Sequence, residues 1–144
     1  MNVQQMLDAK GHDVLTIDPS ASVASAAGIL TEKGVGALVV SEGGDTVVGI
    51  LSERDIVRGI SQKGPELLAA PVRRIMSANV RTCTPEDSNS EAMALMTEFR
   101  IRHLPVIKEQ KLYGIISIGD VVKNRLDELM SESEVLRNYV MGIG

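Results

Sequence analysis

The segment Gly49-Ile50-Leu51-Ser52-Glu53-Arg54-Asp55 and its echo Gly114-Ile115-Ile116-Ser117-Ile118-Gly119-Asp120 each place an aspartate three residues after a serine, behind a short apolar run. At a strand-to-helix junction the serine takes the N-cap and the aspartate the third helical position. Two chemistries are open to such a pair. One is a capping box, in which the two side chains satisfy each other's backbone N–H groups. The other is ligand binding. A helix N-terminus offers unpaired N–H donors and a partial positive charge to a phosphate. A carboxylate one turn in can accept both hydroxyls of a ribose 2′,3′-diol. Capping alone would explain one copy, and recurrence at equivalent places favours the ligand.

No competing reactive constellation exists. The chain has no Gly-x-Ser-x-Gly, no Walker loop and no pair of histidines beside an acid. Gly34-Val35-Gly36-Ala37-Leu38-Val39 lacks the third glycine of a dinucleotide fingerprint. His12 and His103 are far apart and Cys83 is the only cysteine, so neither a disulfide nor a metal site is expected.

The two corners belong to a longer repeat. Val14-Leu15-Thr16-Ile17-Asp18-Pro19 lies over Val80-Arg81-Thr82-Cys83-Thr84-Pro85, and Leu38-Val39-Val40 over Leu104-Pro105-Val106. Upstream, Val3-Gln4-Gln5-Met6-Leu7 matches Val72-Arg73-Arg74-Ile75-Met76. Each copy reads as strand, helix, strand, strand, helix. In the first copy Val14–Ile17 is a strand stopped by Pro19, and Val23, Ala26, Ala27 and Leu30 mark one buried helix face. Ala37–Val40 and Thr46–Leu51 form a hairpin around Glu42-Gly43-Gly44-Asp45. Pro105 has no N–H, so its strand lies at an edge or its ladder breaks there. The fold class expected is α/β (α+β), with two β-α-β-β-α repeats related by a pseudo-two-fold axis. The repeats are assigned to residues 1–64 and 65–144, with Gln62–Pro71 as linker. A helix from about Asp120 to Met141 ends the chain, spanning ~33 Å. Its stripe Val122, Leu126, Leu129, Leu136 and Val140 either folds back on its own repeat or forms a dimer contact.

Composition narrows the partners. Of 144 residues, 44% are hydrophobic and 24% charged, as in ordinary globular domains, and the formal net charge is −4. No basic field invites nucleic acid, and three aromatic residues cannot build a base-stacking platform. No apolar run reaches the ~20 residues needed to cross a bilayer. The expectation is a soluble cytoplasmic protein.

These features together resemble a tandem pair of cystathionine-β-synthase (CBS) domains, a Bateman module of the small stand-alone bacterial kind. The resemblance rests on Thr16-Ile17-Asp18-Pro19, Thr82-Cys83-Thr84-Pro85, Arg102-His103-Leu104-Pro105-Val106 and the two Gly-Ile-x-Ser-x-x-Asp corners. It implies two clefts for adenine nucleotides, the family's ligands including AMP, ADP, ATP, S-adenosylmethionine and NAD(H). The first cleft would combine Ile50, Ser52, Arg54 and Asp55 with Thr82, Thr84, Ile101, Arg102, His103 and Leu104. The second would combine Ile115, Ser117 and Asp120 with Thr16, Ile17, Val35, Gly36, Ala37 and Leu38. Gly36 and Ala37 stand where the first cleft has Arg102 and His103, which makes the first the better phosphate site. Adenine is expected to meet aliphatic groups and backbone amides, with no aromatic side chain.

The resemblance implies a non-enzymatic regulatory module, a homodimer that reports energy or redox state to a regulated protein. The alternative is an oligomerisation or docking module with vestigial clefts.

Overall fold

A computed structural model describes residues 1–142; residues 143 and 144, the end of the second assigned repeat, lie outside the described residues. Asn2 caps a leading helix, α1 (Val3–Lys10). The first repeat follows as β1 (Thr16–Ile17), α2 (Val23–Lys33), β2 (Ala37–Val40), β3 (Gly49–Ser52) and α3 (Glu53–Lys63). Ser22 caps α2, and Gly34 ends it in the left-handed conformation. The region expected to be linker, Gln62–Pro71, instead contains a short 3₁₀ turn, Pro65–Ala69, and a second, Val72–Arg74, follows it directly. The second repeat supplies α4 (Asn89–Phe99), β4 (His103–Lys108), β5 (Lys111–Ser117) and α5 (Ile118–Val140). The architecture is the expected α+β one, with two small sheets and a long final helix.

The sheets differ because of one residue. In the first, β1 pairs parallel with β2 and β2 antiparallel with β3. Val39 N–H donates to the Leu15 carbonyl there at 3.2 Å. The equivalent donor in the second repeat is Pro105, which has none. The strand expected over Val80–Cys83 is therefore reduced to a bridge between Cys83 and Val106, and the second sheet contains only β4 and β5. Pro105 breaks the ladder on the Cys83 side, and that break leaves β4 as an edge strand.

Two cores form, and each uses the other repeat's leading segment. Val3, Met6 and Leu7 pack with Cys83, Met96, Leu104 and Ile116. Leu67 and Val72 pack with Val23, Leu38 and Leu51. The exchange is symmetrical down to two glycines. A Cβ at Gly114 would lie 2.7 Å from Leu7 Cδ2, and one at Gly49 would lie 2.5 Å from Met76 Sδ. Only glycine lets the docking side chain approach so closely. Val3 and Leu7 are fully buried, each contributing about 1.5–3 kcal/mol through burial. A cut after residue 64 would strip each core of a segment it uses. Cys83 is buried in this packing, and burial, helped by the Asp87 charge, pushes its thiol up to about 12.

Candidate functional site

A cavity of about 440 Å³ opens between the repeats. From β3 and α3 it receives Ile50, Ser52, Arg54, Asp55 and Arg58, and from the approach to β4 it receives Ile101, Arg102 and His103. Thr82, Thr84 and Leu104, expected here, are elsewhere. Leu104 is fully buried because alternation along β4 turns it to the core when His103 faces the cleft. Thr82 and Thr84 are exposed, and Thr84 N–H donates to Asp87 Oδ2 at 2.9 Å. Their place on the wall is taken by Ser77, Asn79, Val80 and Arg81.

The first corner forms a complete capping box. Ser52 N–H donates to Asp55 Oδ2 at 2.9 Å, and Asp55 N–H donates to Ser52 Oγ at 3.3 Å. Glu53 N–H donates to the Gly36 carbonyl at 3.0 Å. Of the first turn's three N–H groups, only that of Arg54 lacks a partner among the described residues. The helix N-terminus is therefore a smaller anion donor than the sequence suggests. The positive charge comes from side chains: Arg54, Arg58, Arg81, Arg100 and Arg102 all line the cavity, against the carboxylates of Glu53 and Asp55. Among the described residues none of these arginines forms an ion pair. The hydrogen bonds of Asp55 use Oδ2, which leaves Oδ1 for a ligand hydroxyl.

Phe99 and Arg100 are also on this wall, outside the expected set. Phe99 lines the cavity with the Arg81 guanidinium 4.0 Å from its ring centre, so an aromatic face is present after all. Arg100 ends α4 with φ of 53°, where the first repeat has Gly34 at 63°. The register of the repeat held the clue, since a glycine in one copy faces an arginine in the other. A non-glycine residue in the left-handed region carries strain, and here it delivers a guanidinium to the cleft.

A second cavity of about 340 Å³ lies on the other side of His103. It contains Val35, Gly36, Ala37, Ile115 and Ser117 of the expected set, with Lys10, Asp13, Leu15 and Gly34 added. Thr16, Ile17, Leu38 and Asp120 are not on its wall. Ile17 and Leu38 are buried in the first core. Asp120 caps α5 through Ser117 N–H at 2.8 Å and is also bonded by Lys10 Nζ at 2.6 Å. Burial alone pushes the Asp120 carboxyl up, but Lys10 and Ser117 outweigh it and hold the group below the usual carboxylate range. Lys10 comes from α1, outside both motifs.

Gly36, Ala37 and His103 line both cavities. A Cβ at Gly36 would lie 3.2 Å from Glu53 Oε1 and 3.4 Å from His103 Cε1. Gly36 thus lets the walls come together. Burial pulls the half-buried His103 imidazole below its ordinary value. Lys10 and Arg102 act in the same direction, and Asp120 and Glu53 oppose them. Among the described residues no cluster of three or more potential metal ligands occurs, and no helix is long and apolar enough to cross a membrane.

Two repeats of one βαββα plan, the second with its first strand reduced to a bridge, exchange leading segments and form clefts at their junction, which defines a paired-repeat module. The chain belongs to the CBS domain family: the family's CBS domain model matches residues 8–62 and again 72–127. It is 41% identical over 117 residues to a mitochondrial CBS domain-containing protein of Arabidopsis thaliana, covering 78% of this chain. The matched region is 57% of that relative's length. A CBS-domain containing protein from Agrobacterium tumefaciens has a crystal structure that superposes with a TM-score of 0.84 at 42% identity, covering 87% of this chain and 99% of its own. A CBS domain protein from Pyrobaculum aerophilum, complexed with AMP, superposes with a TM-score of 0.74 at 25% identity, over 83% and 89% of the two chains.

Proposed function

We propose that this protein is a non-enzymatic regulatory module whose first cleft binds an adenine nucleotide, AMP, ADP, ATP or NAD(H), and signals its level to a regulated protein in the cytoplasm. The observation that carries this reading is the convergence of five arginines, none in an ion pair among the described residues, on a cavity that also presents Asp55. The arginines supply charge-assisted donors to phosphate, and Asp55 Oδ1 accepts from the ribose. Ile50, Ile101 and the Phe99 ring offer adenine an apolar wall. The volume lies in the range of small-molecule sites. The Pyrobaculum relative bound to AMP supports the same class of ligand. Because both repeats build the wall, a nucleotide bridges them, and it shifts their arrangement by its differential affinity for the two states.

Calorimetric titration with AMP, ADP, ATP, NAD, NADH and S-adenosylmethionine tests this, after denaturing a sample and checking its supernatant at 260 nm for carried-over nucleotide. Saturable binding is expected for at least one phosphate-bearing ligand, with most affinity lost on Asp55→Ala. That variant also loses its cap, costing about 0.5–2 kcal/mol, so its fold is checked by urea denaturation. Phosphate release on long incubation would overturn the non-enzymatic reading. A folded, nucleotide-free protein that binds none of the six would favour a docking module with vestigial clefts. The Lys10–Asp120 contact is the observation that favours that second reading, for the second cleft.

A further inference from the structure

The distal half of α5 stands clear of the protein, with every residue from Leu129 to Val140 exposed. The helix packs on its own repeat through Val121 and Asn124, which are buried. Val122, Leu126, Leu129, Ser133, Leu136 and Val140 form a separate stripe, at alternating steps of four and three. That is the seam of a coiled coil, with Leu126, Ser133 and Val140 at a and Val122, Leu129 and Leu136 at d. All its apolar members are exposed, Leu136 by 63% and Val140 by 75%. The second family match ends at residue 127, so the stripe runs beyond the CBS domain itself.

We propose that this stripe pairs with the same stripe of a second copy of this chain as a parallel two-stranded coiled coil. The flanking charges choose both the occupant and the direction. In a parallel pair each g residue faces the e residue five positions on in the other helix, which sets Glu132 against Arg137 of the second copy. An antiparallel pair using the whole stripe would set Glu132 against Glu132 and Lys123 against Arg137. Both of those contacts repel. In the distal part of the stripe, Leu129 and Leu136 at d with Val140 at a suit two strands. The pairing does not depend on nucleotide, because no residue of the stripe touches either cleft.

Sedimentation equilibrium of the full chain, with and without AMP, reads the proposal. A dimer is expected in both conditions. The double change Leu129→Asp with Leu136→Asp should give a monomer, with circular dichroism reporting whether it stays folded. Independently of that variant, Glu132→Arg alone and Arg137→Glu alone should each weaken the dimer several-fold, and the two together should restore it. Val140→Cys should link two copies under mild oxidation, since the natural Cys83 is buried. A wild-type monomer at the highest monodisperse concentration would overturn the proposal and leave the stripe to a partner of other sequence. So would a dimer indifferent to the charge changes. Cross-linking of Val122→Cys to Val140→Cys, without a link between two copies of Val140→Cys, would overturn the parallel direction.

Discussion

Lys10 Nζ lies 2.6 Å from Asp120 Oδ2 and 2.9 Å from the Ile115 carbonyl oxygen, so a helix outside both motifs holds the acid of the second corner. Asp55, its counterpart, has no such cation among the described residues. The two corners are alike in capping and unlike in what their carboxylates can still do.

Lys10→Met should free Asp120 while keeping the apolar stem. The expected result is tighter nucleotide binding at the second cleft, seen by calorimetry as a second set of sites. The lost ion pair is partly exposed and costs about 1 kcal/mol or less. Asp120 is held below its ordinary value. Its contribution is therefore present above the ordinary carboxylate range and disappears as pH falls through the folded value. Urea denaturation across acid pH should show a shallower decline in Lys10→Met than in wild type.

Arg100→Gly relieves a left-handed arginine by placing there the residue that Gly34 already supplies in the first repeat. Thermal denaturation should show a gain of about 1 kcal/mol. Calorimetry should show weaker nucleotide binding, because one guanidinium leaves the cleft. A gain in stability without loss of affinity would remove Arg100 from the site.

His103 faces Lys10, Arg102, Glu53 and Asp120, and its imidazole is held below its ordinary value by burial first. A depressed histidine contributes stability that is fully present above about pH 6.5 and lost as pH falls through the folded value. His103→Asn should flatten that acid-side decline in the ligand-free protein. A bound phosphate favours the charged ring, so nucleotide binding near pH 6 should take up a proton. Titration in buffers of different ionisation enthalpy measures that uptake, which should vanish in the variant.

Gly114→Val should drive Leu7 and α1 off the second core, at a cost of about 1–3 kcal/mol from overpacking. Hydrogen exchange should then show lost protection at residues 3–10 while β2 and β3 of the first repeat keep theirs. If α1 were an ornament of the first repeat, protection would fall there instead.

The repeat, the helices and the two capping corners were legible in the chain because each is written in short-range spacing. Ser52 and Asp55 are three residues apart, Val23 and Ala26 share a helix face, and Ala37–Val40 is a continuous apolar run. Even the weakness of the second sheet was announced by Pro105, since a missing N–H is a covalent fact. Motif position pointed Leu38 and Leu104 at the clefts, and the strands turn both into the cores. Lys10, Phe99, Arg81 and Arg100 came to their places only through tertiary structure. Lys10 reaches Asp120 across 110 residues of sequence because Gly114 lets Leu7 seat α1 on the other repeat. Local pattern records which groups a segment presents. Which groups then meet is decided by the packing of segments far apart in the chain, and here that packing exchanges the leading segments of two nearly equivalent halves.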